Sequence, residues 1–415
     1  MAISLFMVLA TLGTGGPASS AVTAEKAAMV RAYVTAYSTR TLEAAQLMIP
    51  AWARKYNMNC SGCHYPAPPR LNATGMRFKW AGYRMPEDVG EKVDVERIQN
   101  YLAVGAEATY EYEKTEGQPA TTSGFTLPGV TVWYAGPFGK HYAGFFELAH
   151  GPGGEIERIA QFSTVWGKEK TYGGFRFGQM HNFNEWGLAG FDRSVGISTP
   201  SPIEDPLTAA IPFMLGEHAL GVEGYYVSGS NRLSAQVLNG VTPEGELAGP
   251  DFDTRKDFLV TDQILTDSAG SGIQAMGYYG TLVGLDTLSP GLASHFWRAA
   301  LSANKIYRGF EVLGGVVIGK DFDLPAAAPE DKGLGYWFSG QYTFPKSALT
   351  VFGRYEFVDP NTDASGDANR RLVGGVVLPI NLPQYMRWAL EYRLDTPQGG
   401  GPKTSNITTQ FLLNF

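Results

Sequence analysis

Apolar and polar positions alternate with a period of two along most of this chain, the spacing of half-buried strands. In Met386 to Leu394 one face carries Met386, Trp388, Leu390, Tyr392 and Leu394, and the other Arg387, Ala389, Glu391 and Arg393. Leu349 to Phe357 repeats the pattern, with Thr350, Phe352, Arg354 and Glu356 on its second face. So does Leu102 to Tyr112, whose polar face holds Glu107 and Glu111. From about Ile98 onward such runs are separated by Gly, Pro, Asp and Asn, which predicts an all-β structure.

A soluble sandwich also alternates, but three details favour strands that cross a membrane. The runs have the ~9–11 residues of a tilted crossing, both signs of charge share the polar face, and aromatics recur at run ends, as in Trp133-Tyr134, Phe296-Trp297 and Tyr336-Trp337. Ile407, Thr409, Phe411, Leu413 and Phe415 alternate up to a terminal Phe, like the insertion signal of outer-membrane proteins. About 318 residues from Ile98 onward, at roughly 20 per strand and connection, predict about 16 strands. Lys114–Pro128, Asp192–Pro212, Thr242–Asp257, Phe322–Lys332 and Asp359–Asn369 read as the long outer loops.

The region before the barrel differs. Residues 1–24 combine an apolar run, Ile3 to Leu12, with small residues around Ala21 and Ala24, as in an export signal, although the first basic residue is Lys26. Residues 25–97 then form a smaller, partly helical region, and 98–415 the barrel. The 51 glycines, 13% aromatic and 18% charged residues suit strands and turns, and the net charge of −7 without a Lys/Arg-rich block excludes a nucleic-acid partner. No spacing of catalytic side chains suggests an active site of its own, and His141, His150, His181, His218 and His295 lack metal-ligand spacing.

The chain has two cysteines, both in Cys60-Ser61-Gly62-Cys63-His64. This is the C-x-x-C-H arrangement of c-type haem attachment: two thiols on one turn add to the haem vinyl groups, and the adjacent imidazole reaches the iron. A thioredoxin-like pair, a structural disulfide and half of a zinc site fit less well, because no βαβ context surrounds the motif and the next histidine is His141. For the sixth iron ligand Met85, in the loop-like Gly82-Tyr83-Arg84-Met85-Pro86, ranks ahead of Met76, in the helical-looking run Leu71 to Trp80. Both could instead pack as apolar fillers, with the site open or bound by a distant histidine.

The run Ala53-Arg54, Met58-Asn59-Cys60, Cys63-His64, Pro69, Leu71-Asn72, Gly75, Phe78-Lys79 and Gly82-Tyr83 resembles the haem-binding segment of the fused porin-cytochromes of iron-oxidising bacteria. The resemblance implies a small, partly helical monohaem cytochrome c domain ahead of an outer-membrane β-barrel. It further implies one covalent haem c, an extracellular donor such as Fe(II), a periplasmic cytochrome as acceptor, and ferrous-iron oxidation as the associated activity. Two other readings stay open at this stage: a porin whose haem plug gates or senses, and a soluble periplasmic cytochrome joined to a β-sandwich.

Overall fold

The computed structural model describes residues 51–58, 60–64, 70–92, 101–118, 122–150, 156–181, 196–216, 218–241, 254–283, 293–324, 331–381 and 386–414. The expected export signal, the lead that follows it and Phe415 lie outside the described residues. Pro50–Phe415 forms one compact unit.

Strands run in chain order β1 (Leu102–Thr115), β2 (Thr122–Pro137), β3 (Tyr142–His150), β4 (Ile156–Thr164, resumed at Trp166–Lys168) and β5 (Thr171–His181). Next come β6 (His218–Ser228), β7 (Asn231–Leu238), β8 (Asp257–Leu265), β9 (Gly272–Val283), β10 (Ala293–Tyr307) and β11 (Phe310–Phe322). The last are β12 (Lys332–Thr343), β13 (Thr350–Asp359), β14 (Asn369–Asn381), β15 (Met386–Pro397) and β16 (Thr404–Asn414). Both pieces of β4 pair with β5, on either side of a fully buried Val165 whose N–H donates to His141 O, so they form one strand with an irregularity. Each strand pairs antiparallel with its neighbours, and β1 pairs with both β2 and β16. The sheet therefore closes into a 16-stranded barrel without a free edge, which rules out the sandwich.

The alternation has a definite sense. Val104, Val260, Ile264, Phe338, Ile407 and Phe411 project outward and are exposed, whereas Gln263, Gln274, Arg298, Arg354 and Glu356 face inward and are buried. Apolar outside and polar inside is the pattern of a barrel solvated by hydrocarbon, and it places the chain in the outer membrane. The aromatic pairs behave otherwise than expected. Tyr336 is exposed while Trp337 is buried in mid-strand, and Phe296 is buried in the lumen, because adjacent residues of a strand must face opposite sides.

The two ends of the barrel also differ. Glu169–Lys170, Gly229–Ser230 and Arg308–Gly309 are two-residue turns at the end where β1 begins and β16 finishes. The opposite end carries the long connections, including 182–217 and 239–256. Short turns mark the periplasmic end and long loops the outer one. The strands flanking all five expected loops meet at the long-loop end. Lys114–Pro128 is mostly strand instead, since the ladder Tyr112↔Ser123 and Glu113↔Thr122 carries the hairpin almost to its tip.

The connection from β5 to β6 folds back inside. Glu391 of β15 accepts from the Ile197 and Ser198 N–H groups, Glu356 of β13 accepts from Ser201 N–H at 2.7 Å, and Asp321 of β11 accepts from Thr208 Oγ1 at 2.6 Å. Between these fastenings Ile203, Leu207, Ile211 and Phe213 pack on Tyr278, Phe296 and Trp337. The lumen is therefore not polar throughout. An apolar patch of the wall is tolerated where this strap covers it.

Candidate functional site

The described residues of 51–92 lie against the inner wall at the short-turn end. Arg70 donates twice to Glu311 of β11, Trp80 Nε1 donates to Gln263 of β8 at 3.1 Å, and Arg176 of β5 donates to Lys79 O at 3.2 Å. Arg84 donates to Lys140 O at 2.8 Å and Tyr142 O at 3.0 Å, gripping the turn between β2 and β3. Trp52 Nε1 donates to Ala135 O of β2 at 2.6 Å. Bonds to so many strands hold the segment as a plug in the lumen.

Locally the sequence explains its shape. Helix α1 (Ala51–Tyr56) leads to a 3-10 turn at Cys60–Gly62, and α2 (Ala73–Trp80) returns beside it. Asn72 ties the two together. Its Oδ1 accepts from the N–H groups of Thr74 and Gly75, capping α2, while Nδ2 donates to Ser61 O and Gly62 O at 3.1 Å. Its backbone N–H also donates to Cys63 O at 2.9 Å. Gly75 is required by this approach, because a Cβ there would lie 2.3 Å from Cys63 O. Asn72→Ala should thus lower stability by about 1–2 kcal/mol and expose the Thr74 and Gly75 amides to hydrogen exchange. Asn72→Asp should retain the cap protection and lose only the hold on the turn; equal exchange in both variants would contradict this division of labour.

After α2 the backbone enters the left-handed region at Gly82 (φ 70°) and Tyr83 (φ 58°), and Tyr83 N–H donates to Phe78 O. The reversal returns the chain so that Met85 is buried with Phe78, Tyr83 and Ala135, against Trp52, Tyr56, Met58 and Cys63. The Tyr56 hydroxyl fixes that return: it donates to Asp88 Oδ2 at 2.7 Å and accepts from Met85 N–H at 3.2 Å and Lys55 Nζ at 2.9 Å. Burial, and then the bond to Asp88, push the Tyr56 phenol far above its usual value, so it stays protonated. Burial lowers the Lys55 ammonium, with Asp88 opposing.

These elements enclose a largely apolar pocket with a cavity volume of about 140 Å³ that opens at its mouth. Cys63, His64 and Met85 all line it, together with Met58, Trp52, Phe78 and Tyr83. His64 Nδ1 lies 3.1 Å from Arg70 O, so the proton sits on Nδ1 and the lone pair on Nε2. Cys60 belongs to the same turn. Met76 does not line the pocket; it is buried on another side of α2 with Trp80, Val165, Tyr172 and Tyr225. Met58 is the pocket methionine that the sequence did not bring forward, since it precedes the cysteines, and its spacing from them carries no signal.

Neither a protein-family model nor a curated protein matches the chain. Solved barrels do resemble it. An anion-selective porin from Comamonas acidovorans aligns with TM-score 0.54 and 10% identity, covering 76% of this chain and 98% of the porin. A loop-deletion mutant of OmpT, an outer membrane protein of Vibrio cholerae, aligns with TM-score 0.53 and 13% identity, covering 75% and 98%. OmpF of Salmonella typhi in complex with daunomycin gives 0.53 and 10%, covering 75% and 97%. Such identities report fold alone: the chain is an outer-membrane β-barrel of porin architecture whose lumen holds a segment bearing Cys63 and His64.

Proposed function

We propose that this chain carries electrons across the outer membrane through one haem c, attached covalently at Cys60 and Cys63 with His64 and Met85 as iron ligands, from extracellular Fe(II) to a periplasmic cytochrome. The observation that carries the reading is the convergence of Cys63, His64 and Met85 on one pocket at the short-turn end of the lumen. The lining suits such a group, since aromatic and thioether side chains exclude water and the Nδ1 bond to Arg70 O orients the imidazole. When bound, the haem supplies a one-electron couple, and His/Met ligation raises its potential, which favours uptake of electrons from a weak reductant.

The barrel contributes access. The pocket lies near the periplasmic end, so the acceptor meets it there and the donor travels down the lumen from the long-loop end. The inward positions of β1 include Glu107, half-buried, and Glu111, exposed, in line with Glu113 toward that mouth. Carboxylates along the route concentrate a small divalent cation, an effect that salt screens. Anaerobic stopped-flow spectroscopy of the purified protein should show Fe(II) reducing the haem. Glu107→Gln combined with Glu111→Gln should slow this several-fold at low ionic strength and make no difference near 1 M salt, where the Debye length is about 3 Å. A haem that Fe(II) leaves oxidised would remove iron as donor. Bilayer conductance that changed with haem redox state would then favour the gated porin.

A further inference from the structure

We propose that Glu311 on the barrel wall is a positioning residue for His64, acting through Arg70; this rests on the haem reading above. Arg70 and Glu311 are both buried, at 4% and 1% exposure, although 241 positions separate them. The guanidinium meets the carboxylate in a two-pronged pair, one bond being Arg70 Nη1 to Glu311 Oε2 at 2.5 Å. Asn304 Nδ2 donates to the same carboxylate at 2.6 Å, and Gln341 Nε2 donates to it as well. Three donors from β10, β12 and the plug therefore fix Glu311 in one geometry. Arg70 in turn offers its carbonyl to His64 Nδ1 at 3.1 Å. The next residue, Leu71, forms the antiparallel bridge back to His64.

The consequence is a rigid link from the wall to the imidazole. A carbonyl held on Nδ1–H sets the ring plane and increases the electron donation of Nε2, which stabilises the oxidised iron. The carboxylate also neutralises a cation buried within a few residues of the ligand. Removing its charge leaves that cation uncompensated and loosens the carbonyl. Both changes favour the reduced state.

The test compares midpoint potentials and spectra of the intact, haem-loaded protein. E311Q keeps the shape of the side chain and should keep the haem stain and the ligation bands. At the wild-type midpoint its reduced-to-oxidised ratio should rise about tenfold, a shift of about 59 mV for one electron. The double variant Arg70→Met with Glu311→Met removes both charges; its midpoint should fall between those of wild type and E311Q, because only the carbonyl remains unfixed. Asp321→Asn breaks an equally buried pair with Arg298, beside Thr208 of the strap, and should leave the midpoint unchanged. Loss of the haem stain from E311Q, with the barrel still heat-modifiable, would overturn the inference, since it would make Glu311 a requirement for attachment rather than a residue that positions His64. An E311Q midpoint equal to wild type, or a shift matched by Asp321→Asn, overturns the inference while a stained wild type keeps the haem reading. A wild type without covalent haem overturns the haem reading itself.

Discussion

Replacing Cys60 and Cys63 together by alanine should abolish the haem-stained band after denaturing electrophoresis, while the heat-modifiable barrel still accumulates in the outer membrane. The first half follows from covalent attachment, since thioether bonds survive detergent and heat and no other cysteine exists in the chain. The second follows from the architecture: all 16 strands close on one another through pairs such as Gly105↔Asn414, and neither cysteine takes part in that ladder. The plug keeps its other fastenings at Glu311, Gln263 and the turn around Lys140. Stain that persisted in the double variant would end the attachment claim. Loss of the barrel together with the stain would mean that the haem organises the lumen rather than being received by it.

Met85→Ala should remove the thioether-to-iron charge-transfer band at the red end of the oxidised spectrum while the haem stays attached, and the potential should fall with it. Met76→Ala should leave the band in place and act on stability instead. Met76 is 1% exposed among Trp80, Val165 and Tyr172, so its truncation creates a cavity costing about 2–5 kcal/mol. The two methionines thus separate by readout, one spectroscopic and the other thermodynamic. Met58→Ala is the third arm, because Met58 shares the pocket. If the band survives Met85→Ala and vanishes in Met58→Ala, the ligand precedes the cysteines. A wild type that never shows the band has an open or histidine-bound iron, and the high-potential argument for Fe(II) as donor loses its support.

Much of the barrel was legible because its signal is local. A strand exposed to lipid on one face and a polar lumen on the other must alternate, so Met386 to Leu394 declares both its conformation and its sidedness within nine positions. Strand number followed from length, as each crossing consumes a nearly constant number of residues. The reading failed where a residue's surroundings are set by distant chain. Trp337 and Phe296 read as aromatics at run ends, yet they face the lumen beneath Ile203, Leu207 and Phe213 of the strap. Lys114–Pro128 looked like a loop because its composition is polar and glycine-containing, whereas β1 runs on to Thr115 and β2 begins at Thr122, so the ladder enters it from both sides.

The candidate site divides in the same way. The sequence by itself determined the C-x-x-C-H turn, the helical run that contains α2 and the loop that offers Met85, since each depends on neighbours a few positions away. Only the tertiary structure decided that the described residues of 51–92 fold into the lumen, at which end they lie, that Met76 turns away from the pocket and that Met58 enters it. The contacts responsible join positions far apart, Arg70 with Glu311 and Trp80 with Gln263. A buried polar group needs a partner of the right chemistry and places no condition on where in the chain that partner sits, so no periodicity or spacing announces the pairing.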